Sequence, residues 1–452
     1  MDRLYTLTEA IIEKLKEAGA DMAYCTASSG ETREFNVDGG EFSLFRTLFD
    51  NSLTITAFIG GKKGTIGLNS FEDDKVDEAI KNCIASAESA EPDPAWALAP
   101  DCGERYFKKG AVEPDLNKLF DRSAELCETI KRDYPLIVIE QMIVTHESAH
   151  TVYRNTNGAV YTKDAGYYNF DLMFSAHEGE QGSSFFSSGV VCDNLDKPAI
   201  ELGSIKRDME DVQKQIYTKA TEGKFTGTMV LSPGCLADFM GSIVDKFASD
   251  TTILEGTSMW KDSIGEQVAD ERITVSFAPN AEGIVGGQSY TTEGFIAEDF
   301  DFIKDGKLES FVTSLYIANK TGVARAKNNG GNMVIKAGDK SLDEIIAGID
   351  RGILVGRFSG GDPAQNGDFS GVAKNSFLIE NGKITDAASE TMISGNLAGM
   401  LKNLRAISKE RVADGYSLLP YAAFDGITVS GNDLQKRSDT ERFLLCTKGA
   451  QL

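Results

Sequence analysis

The chain has 452 residues, 41% hydrophobic and 25% charged, with no long low-complexity tract, which describes a folded protein of two or three domains and excludes a disordered one. Its 46 basic and 69 acidic side chains leave a formal charge of −23, which repels a phosphate backbone and argues against direct nucleic-acid binding. No uncharged apolar run approaches the roughly 20 residues that cross a bilayer, the N-terminus lacks the basic end and apolar core of a signal peptide, and the seven cysteines are odd in number and never spaced C-x-x-C. A cytoplasmic protein with no membrane association, disulfide framework or structural zinc is expected.

A first helix is predicted over residues 7–18, with Thr6 and Glu9 as a capping box, Leu7, Ile11 and Leu15 on one face and Gly19 as the stop. Phe42 to Phe49 and Leu53 to Ile59, separated by Asp50-Asn51-Ser52, then Thr65 to Leu68 after the glycine-rich turn at 60–64, read as an antiparallel meander. The helical spacing of Val76, Ala79, Ile80, Cys83, Ile84 and Ala87 lays a helix on that meander, and Glu91-Pro92-Asp93-Pro94 ends the unit. A second unit opens with a helix over 115–132, continues into strands between Leu136 and Ser188 and closes with a helix over 197–221. From about Thr226 onward short β-type runs alternate with helices near 235–248, 341–351 and 396–405, the second of them capped by Ser341 and Glu344 and stopped by Gly352. The order predicts an α+β protein: N-terminal antiparallel sheet units with packed helices, then a β-rich C-terminal domain with short helices. The expected domains are 1–92, 110–222 and 224–452.

His146-Glu147-Ser148-Ala149-His150 matches H-E-x-x-H, which on a helix puts two imidazoles on one face for zinc and leaves the glutamate as general base. Its flanks are strand-like, from Leu136-Ile137-Val138-Ile139 to Val152-Tyr153, and Asn155-Thr156-Asn157-Gly158 follows as a hairpin turn. Residues four apart on a strand lie about 13 Å from each other, too far to share one ion. His146, Glu147 and His150 are therefore read as a decoy. No Walker spacing and no G-x-S-x-G elbow is present.

The most specific stretch runs Gly367-Asp368-Phe369-Ser370-Gly371, then Ile379-Glu380-Asn381-Gly382-Lys383-Ile384, then Ile393-Ser394-Gly395-Asn396-Leu397. Asn381-Gly382 can take the positive φ values of a type I′ turn, and Asp368 and Ser370 can bond nearby amides, so a packed turn and a ligand contact are both open readings. This order resembles the C-terminal signature of the TldD/PmbA family, the "modulator of DNA gyrase" proteins, and Asp299 to Leu308, with Ile303-Lys304-Asp305-Gly306 at its turn, Thr313 to Ala318 and the Asn155 to Gly158 turn resemble further family segments.

The resemblance implies a metallopeptidase family with two branches. The TldD-like catalytic branch carries H-E-x-x-x-H on a helix early in the C-terminal domain and a cysteine ligand later. The equivalent helix here, Leu231 to Gly241, has neither histidine nor glutamate, Arg411 to Pro420 has no cysteine, and Cys446 lies in an apolar run. The chain therefore resembles the PmbA/TldE-like branch. The implied assembly pairs it with a TldD-like catalytic subunit that holds zinc or a similar divalent metal, acts on unfolded peptides and leaves this chain without cofactor or catalytic residues. A homodimer is expected when it is alone. Gly367, Asp368, Phe369, Ser370, Glu380, Asn381, Gly382, Gly395 and Asn396 are the candidate chamber or signature-loop residues. Two rival readings are a self-assembling non-proteolytic scaffold or binding protein and an autonomous zinc peptidase using the HESAH segment.

Overall fold

The computed structural model describes residues 2–389 and 391–431. Helix α1 (Arg3–Glu17) buries Leu4, Ile11, Ile12 and Leu15. Its cap is Asp2 and not Thr6: the Asp2 carboxylate accepts the Leu4 N–H at 2.9 Å, and the Thr6 hydroxyl donates to the Asp2 carbonyl instead. A carboxylate at this position also meets the positive end of the helix dipole, which a threonine cannot do. Strands β1 (Met22–Asp38), β2 (Glu41–Ile59) and β3 (Lys62–Leu68) form the expected meander. Asp50-Asn51-Ser52, expected to break β2, instead pair with Gly30, Ser29 and Ser28 of β1, so β2 runs as one strand. Polar residues there flank a strand whose sides are open to water, which removes the reason to turn.

Helix α2 (Asp73–Ser89) lays Val76, Ala79, Ile80, Cys83 and Ala87 on the meander. It sits so close that a Cβ on Gly64 would stand 2.2 Å from the Cys83 carbonyl. After β4 (Glu104–Gly110), α3 (Leu116–Asp133) is capped by Asp115 and buries Leu119, Leu126 and Ile130. Strands β5 (Ile137–Asn155) and β6 (Val160–Glu178) are a long hairpin closed by the Asn155 to Gly158 turn, with β7 (Gln181–Gly182) and β8 (Phe186–Cys192) added along β6. The sheet order is β3-β2-β1-β5-β6-β4. Because β1 pairs with β5 from Tyr24↔Asn155 to Asp38↔Gln141, the first 200 residues share a single sheet. The helix expected over 197–221 is only α4 (Ile205–Gln213), preceded by a single 3-10 turn at Ala199–Glu201. Gly203, at φ +55°, breaks the chain between them.

The C-terminal half is built on a second sheet. Its elements are β9 (Thr218–Ala220), β10 (Lys224–Leu231), α5 (Pro233–Phe247), α6 (Asp250–Leu254), β11 (Val275–Phe277), β12 (Phe300–Lys304), β13 (Lys307–Leu308), α7 (Leu315–Thr321) and β14 (Met333–Ile335). They continue with α8 (Leu342–Ala347), β15 (Arg351–Val355), β16 (Arg357–Gly360), β17 (Asp368–Lys374), β18 (Ser376–Glu380), β19 (Lys383–Ser389), β20 (Thr391–Asn396), α9 (Leu397–Lys402), β21 (Leu404–Ala413) and β22 (Leu418–Ser430). β22 is the hub, pairing with β10, β14, β20 and β21. α5 and α9 pack against it over a core that includes Leu236, Phe239, Ile243, Phe369, Leu397 and Phe424. The Ser341–Glu344 capping box is present on α8, but that helix ends at Gly348, and Gly352 lies inside β15. A Cβ on Gly352 would meet the Thr228 carbonyl of β10 at 2.3 Å, so this glycine permits strand approach and does not stop a helix. The result is the α+β architecture with a β-rich C-terminal half.

The two halves are bound to each other at both ends. Asp93, in the Pro-containing segment after α2, accepts the Tyr316 hydroxyl at 2.8 Å and pairs with Lys320 at 2.7 Å, while Trp96 stacks on Tyr316 with ring centroids 3.8 Å apart. The turn between β21 and β22 docks on β8, where the Val191 N–H donates to the Asp414 carbonyl at 2.8 Å. Among the described residues no helix is long and apolar enough to cross a membrane.

Candidate functional site

The HESAH segment lies in the middle of β5, with β1 on one side and β6 on the other: His146 stands opposite Arg33 and Tyr168, His150 opposite Ser29 and Asp164. Strand pairing on both sides leaves no freedom for the helical turn that would bring the imidazoles together. Each ring is also committed elsewhere. His146 is buried with Nε2 2.7 Å from the Ala111 carbonyl, and burial, outweighing that bond, pushes its pKa below the usual histidine value. His150 sits between two carboxylates, Nδ1 2.6 Å from Asp164 and Nε2 2.6 Å from Asp2. Partial burial lowers its pKa, but the bonds to Asp164 and Asp2 outweigh it and hold the value above the usual one. The histidine thus joins the cap of α1 to the central hairpin. Among the described residues no group of three or more His, Cys, Asp or Glu is placed to hold a metal ion.

Glu147 points away from both histidines, as alternation on a strand requires. It lines a cleft of about 290 Å³ with Tyr167, Asn169, Asp171, Asp414 and Tyr416, where the first sheet meets the β21–β22 turn. Asp414 builds that turn by accepting the N–H groups of Tyr416 and Ser417 and the Ser417 hydroxyl. Sequence reasoning missed this acidic cleft because its sides come from segments some 250 residues apart.

Gly367, Asp368, Phe369, Ser370, Gly395 and Asn396 come together where β17, β20 and α9 meet. Asp368 stands opposite Asn396, and Phe369 opposite Gly395. Gly367 has φ +85°, its carbonyl accepts the Leu397 N–H at 2.8 Å, and a Cβ would meet the Phe247 ring at 2.7 Å. Asn396 does three jobs: Oδ1 accepts the Gly399 N–H at 3.0 Å and caps α9, while Nδ2 donates to Asp368 Oδ1 at 2.8 Å and to the Asn366 carbonyl at 2.9 Å. Asn366 bonds the other Asp368 oxygen at 2.8 Å. The bonds from Asn396 and Asn366 hold the Asp368 carboxyl below the usual carboxylate range. Phe369 is buried against Phe239, and Ser370 is exposed. The polar atoms of this cluster are largely used in holding three elements together.

Glu380, Asn381 and Gly382 stand apart from it. Asp368 opens β17, which pairs with β16 and β20, whereas Glu380 closes β18, which pairs with β15 and β19. Asn381 and Gly382, at φ +49° and +75°, make the expected I′ turn. The turn docks on the end of α8: the Asn381 and Gly382 N–H groups donate to the Asp350 and Ile349 carbonyls at 2.7 and 2.8 Å.

Helix α5 is the one at which the sequence resemblance expects the catalytic branch's motif. Ser232 caps it, Cys235 is buried with its thiol pushed up chiefly by burial, and Gly234, Asp238 and Gly241 face solvent. Desolvation raises the Asp238 carboxyl. Two exposed carboxylates seven positions apart, Asp238 and Asp245, and one buried thiol do not fit a catalytic zinc, which takes three protein ligands converging on one ion. Cys446 lies outside the described residues.

Residues 223–431 match the family model of the PmbA/TldA metallopeptidase C-terminal domain. Metalloprotease PmbA of Escherichia coli O157:H7 is 25% identical over 444 residues, covering 90% of this chain and 92% of its own. TldE from Thermococcus kodakarensis superposes with a TM-score of 0.82 at 21% identity, covering 94% of this chain and all of the other. A protein from Bacteroides thetaiotaomicron assigned as a candidate modulator of DNA gyrase does so with a TM-score of 0.84 at 22% identity, covering 96% and 100%. With the signature segments in order, residues 223–431 form a PmbA/TldA metallopeptidase C-terminal domain, and over nearly its whole length the chain is similar to PmbA in sequence and shares the fold of TldE.

Proposed function

We propose that this chain is the PmbA/TldE-like subunit of a cytoplasmic TldD/TldE-type protease: it shapes a chamber for unfolded peptides, and a TldD-like partner holds the zinc and cleaves them. The observation that carries this reading is the surface of α5. A catalytic zinc needs neutral imidazoles or thiolates and a base that activates water, and the residues α5 exposes are Gly234, Asp238, Gly241 and Asp245, with no imidazole or thiol among them. The HESAH segment does not substitute for it, since its imidazoles are bonded separately to a carbonyl and to two carboxylates. The six described cysteines are free thiols, in keeping with a reducing compartment.

In this reading the cluster of Gly367, Asp368, Phe369, Ser370, Gly395 and Asn396 fixes the position of the chamber loop, and Glu380, Asn381 and Gly382 brace the sheet behind it. The units 1–92, 110–222 and 224–452 are the proposed domains, the first two coupled through the β1–β5 pairing. The test is metal analysis of the purified chain alone and mixed with a TldD-like subunit, with cleavage of an unfolded peptide as the second readout. Zinc and cleavage are expected to follow the TldD-like subunit. Stoichiometric zinc in the lone chain, lost in His146→Ala, would overturn the assignment.

A further inference from the structure

A cavity of about 230 Å³ lies in the C-terminal half, where the segments 291–293, 312–314 and 325–329 meet and Asp250, the first residue of α6, supplies a further side. Part of its lining is fixed from within the protein. The Thr313 hydroxyl donates to the Ala324 carbonyl at 2.9 Å, the Thr291 hydroxyl accepts the Phe295 N–H at 3.3 Å, and the Asn328 amide donates to the Phe277 and Glu298 carbonyls at 3.0 and 2.8 Å. All three residues are buried, so these bonds are not exchanged for bonds to water, and this wall keeps its shape.

The charged groups of the lining are not engaged in this way. Arg325 lies with its guanidinium carbon 3.6 Å from the centroid of the Phe295 ring, donates one N–H to the Ala326 carbonyl, and pairs with no carboxylate among the described residues. Burial, outweighing the pull of Glu293 and Glu298, pushes its pKa down. Among the described residues the Glu293 carboxylate, the Thr292 hydroxyl and the Asn329 amide have no hydrogen-bond or ion-pair partner, and Asp250 uses only Oδ1, on the Ser314 N–H at 2.8 Å. One cation and two carboxylates therefore line a single small cavity without neutralising one another. Arg325 and Glu293 are half-buried, and taking charges partly out of water is costly unless a group of opposite sign meets each.

Size narrows the choice of ligand. At about 30 Å³ of liquid volume per water the cavity holds roughly eight water-sized groups, and it is smaller than the roughly 300 Å³ at which pockets for drug-sized ligands begin. A small ligand that carries both signs of charge fits this lining. We propose that the cavity binds a free basic α-amino acid, with its carboxylate on the Arg325 guanidinium, its ammonium on the Glu293 carboxylate and its side chain directed to Asp250. Two carboxylates against one guanidinium favour a basic side chain over an apolar or acidic one. A peptide terminus carries only one of the two main-chain charges, so it would leave Arg325 or Glu293 unmet. The site belongs to the lone chain and uses no metal, so its failure would leave the proposed partnership with a TldD-like subunit untouched.

Isothermal titration of the full chain with L-lysine tests it, with Nα-acetyl-L-lysine, L-lysinamide and L-leucine as comparisons. L-Lysine should bind one to one. The acetylated and amidated forms each lose one charge-assisted contact and should bind roughly tenfold more weakly or worse, and L-leucine roughly threefold more weakly, the scale of a partly exposed ion pair. Arg325→Gln should remove the advantage of L-lysine over L-lysinamide, and Glu293→Gln its advantage over Nα-acetyl-L-lysine, with circular dichroism unchanged; the second variant decides the matter if the first does not fold. No binding of L-lysine, equal binding of Nα-acetyl-L-lysine, which would make the site a reader of peptide C-termini, equal binding of L-lysinamide or L-leucine, or a titration indifferent to both substitutions would each overturn the proposal.

Discussion

The two signature turns of the C-terminal half are built in opposite ways. The turn at Asn381-Gly382 is local: two positive φ values close a hairpin between β18 and β19, and its outward N–H groups rest on the end of α8. The turn at Gly367-Asp368 has local bonds as well, the Ala364 N–H to the Asp368 carbonyl and the Gly367 N–H to the Ala364 carbonyl at 2.8 Å each, but it is also tied down from a distance. Asn396, 28 residues on from Asp368, bonds it while capping α9, and Phe247 of α5 fills the space a Cβ would take. Both carry the family signature, but the first is a piece of secondary structure and the second a junction of three elements. Disturbing the junction should therefore reach the function of the assembly, and disturbing the hairpin should reach stability alone.

The largest effect is expected from Gly367→Val. A branched side chain must take φ +85° and also meet the Phe247 ring at 2.7 Å, so the loss should exceed about 3 kcal/mol, with peptide cleavage by the reconstituted complex abolished. Wild-type cleavage in a folded Gly367→Val variant would show that the junction has no part in the chamber. Gly382→Ala comes next. Its Cβ would stand 2.7 Å from the Ala347 carbonyl at φ +75°, which should cost about 1–3 kcal/mol in chemical denaturation while cleavage at low temperature stays intact. If Gly382→Ala lost cleavage while folded, the two turns would have to be treated as one functional unit.

Asn396→Ala removes a helix cap and the donor to Asp368, for about 0.5–2 kcal/mol, with soluble expression retained and cleavage lowered. The smallest effect lies outside the signature. His150 has a raised pKa in the folded chain, so its contribution is fully present below its unfolded value near 6.5 and is lost as pH rises through the folded value. The melting temperature of the wild type should exceed that of His150→Gln at about pH 5.5, and the gap should close by about pH 8.5; for a partly exposed pair it is worth no more than about 1 kcal/mol. A gap that widened with pH would mean the imidazole acts as a neutral spacer between α1 and β5.

Legibility followed range along the chain. The Asn381-Gly382 turn and the Ser341–Glu344 capping box each depend on residues within a few positions of one another. The strand setting of the HESAH segment was legible for the same reason, because β-branched flanks and a following turn mark a strand whatever it pairs with. Thr6 reads as the cap because the helix start is uncertain by a turn in the sequence, and the structure sets it at Asp2. Asp50-Asn51-Ser52 looked like a turn because the pairing that keeps them extended comes from β1, over twenty residues earlier.

The sequence by itself determined the α+β order of elements, the hairpins, the caps, the acidic surface and the absence of a helical zinc motif. These depend on local backbone preference, periodicity and composition, which neighbours in the chain set between them. Tertiary structure alone decided that β1 and β5 join two units in one sheet, that His150 reaches Asp2 across 148 positions, that Asn396 locks Asp368, that Glu147 faces a cleft with Asp414, and that among the described residues β2 from Glu41 to Ser52 has a strand on one side only. Each of these is a contact between distant segments whose closure entropy is repaid only when the whole core forms, so no short stretch of residues records it.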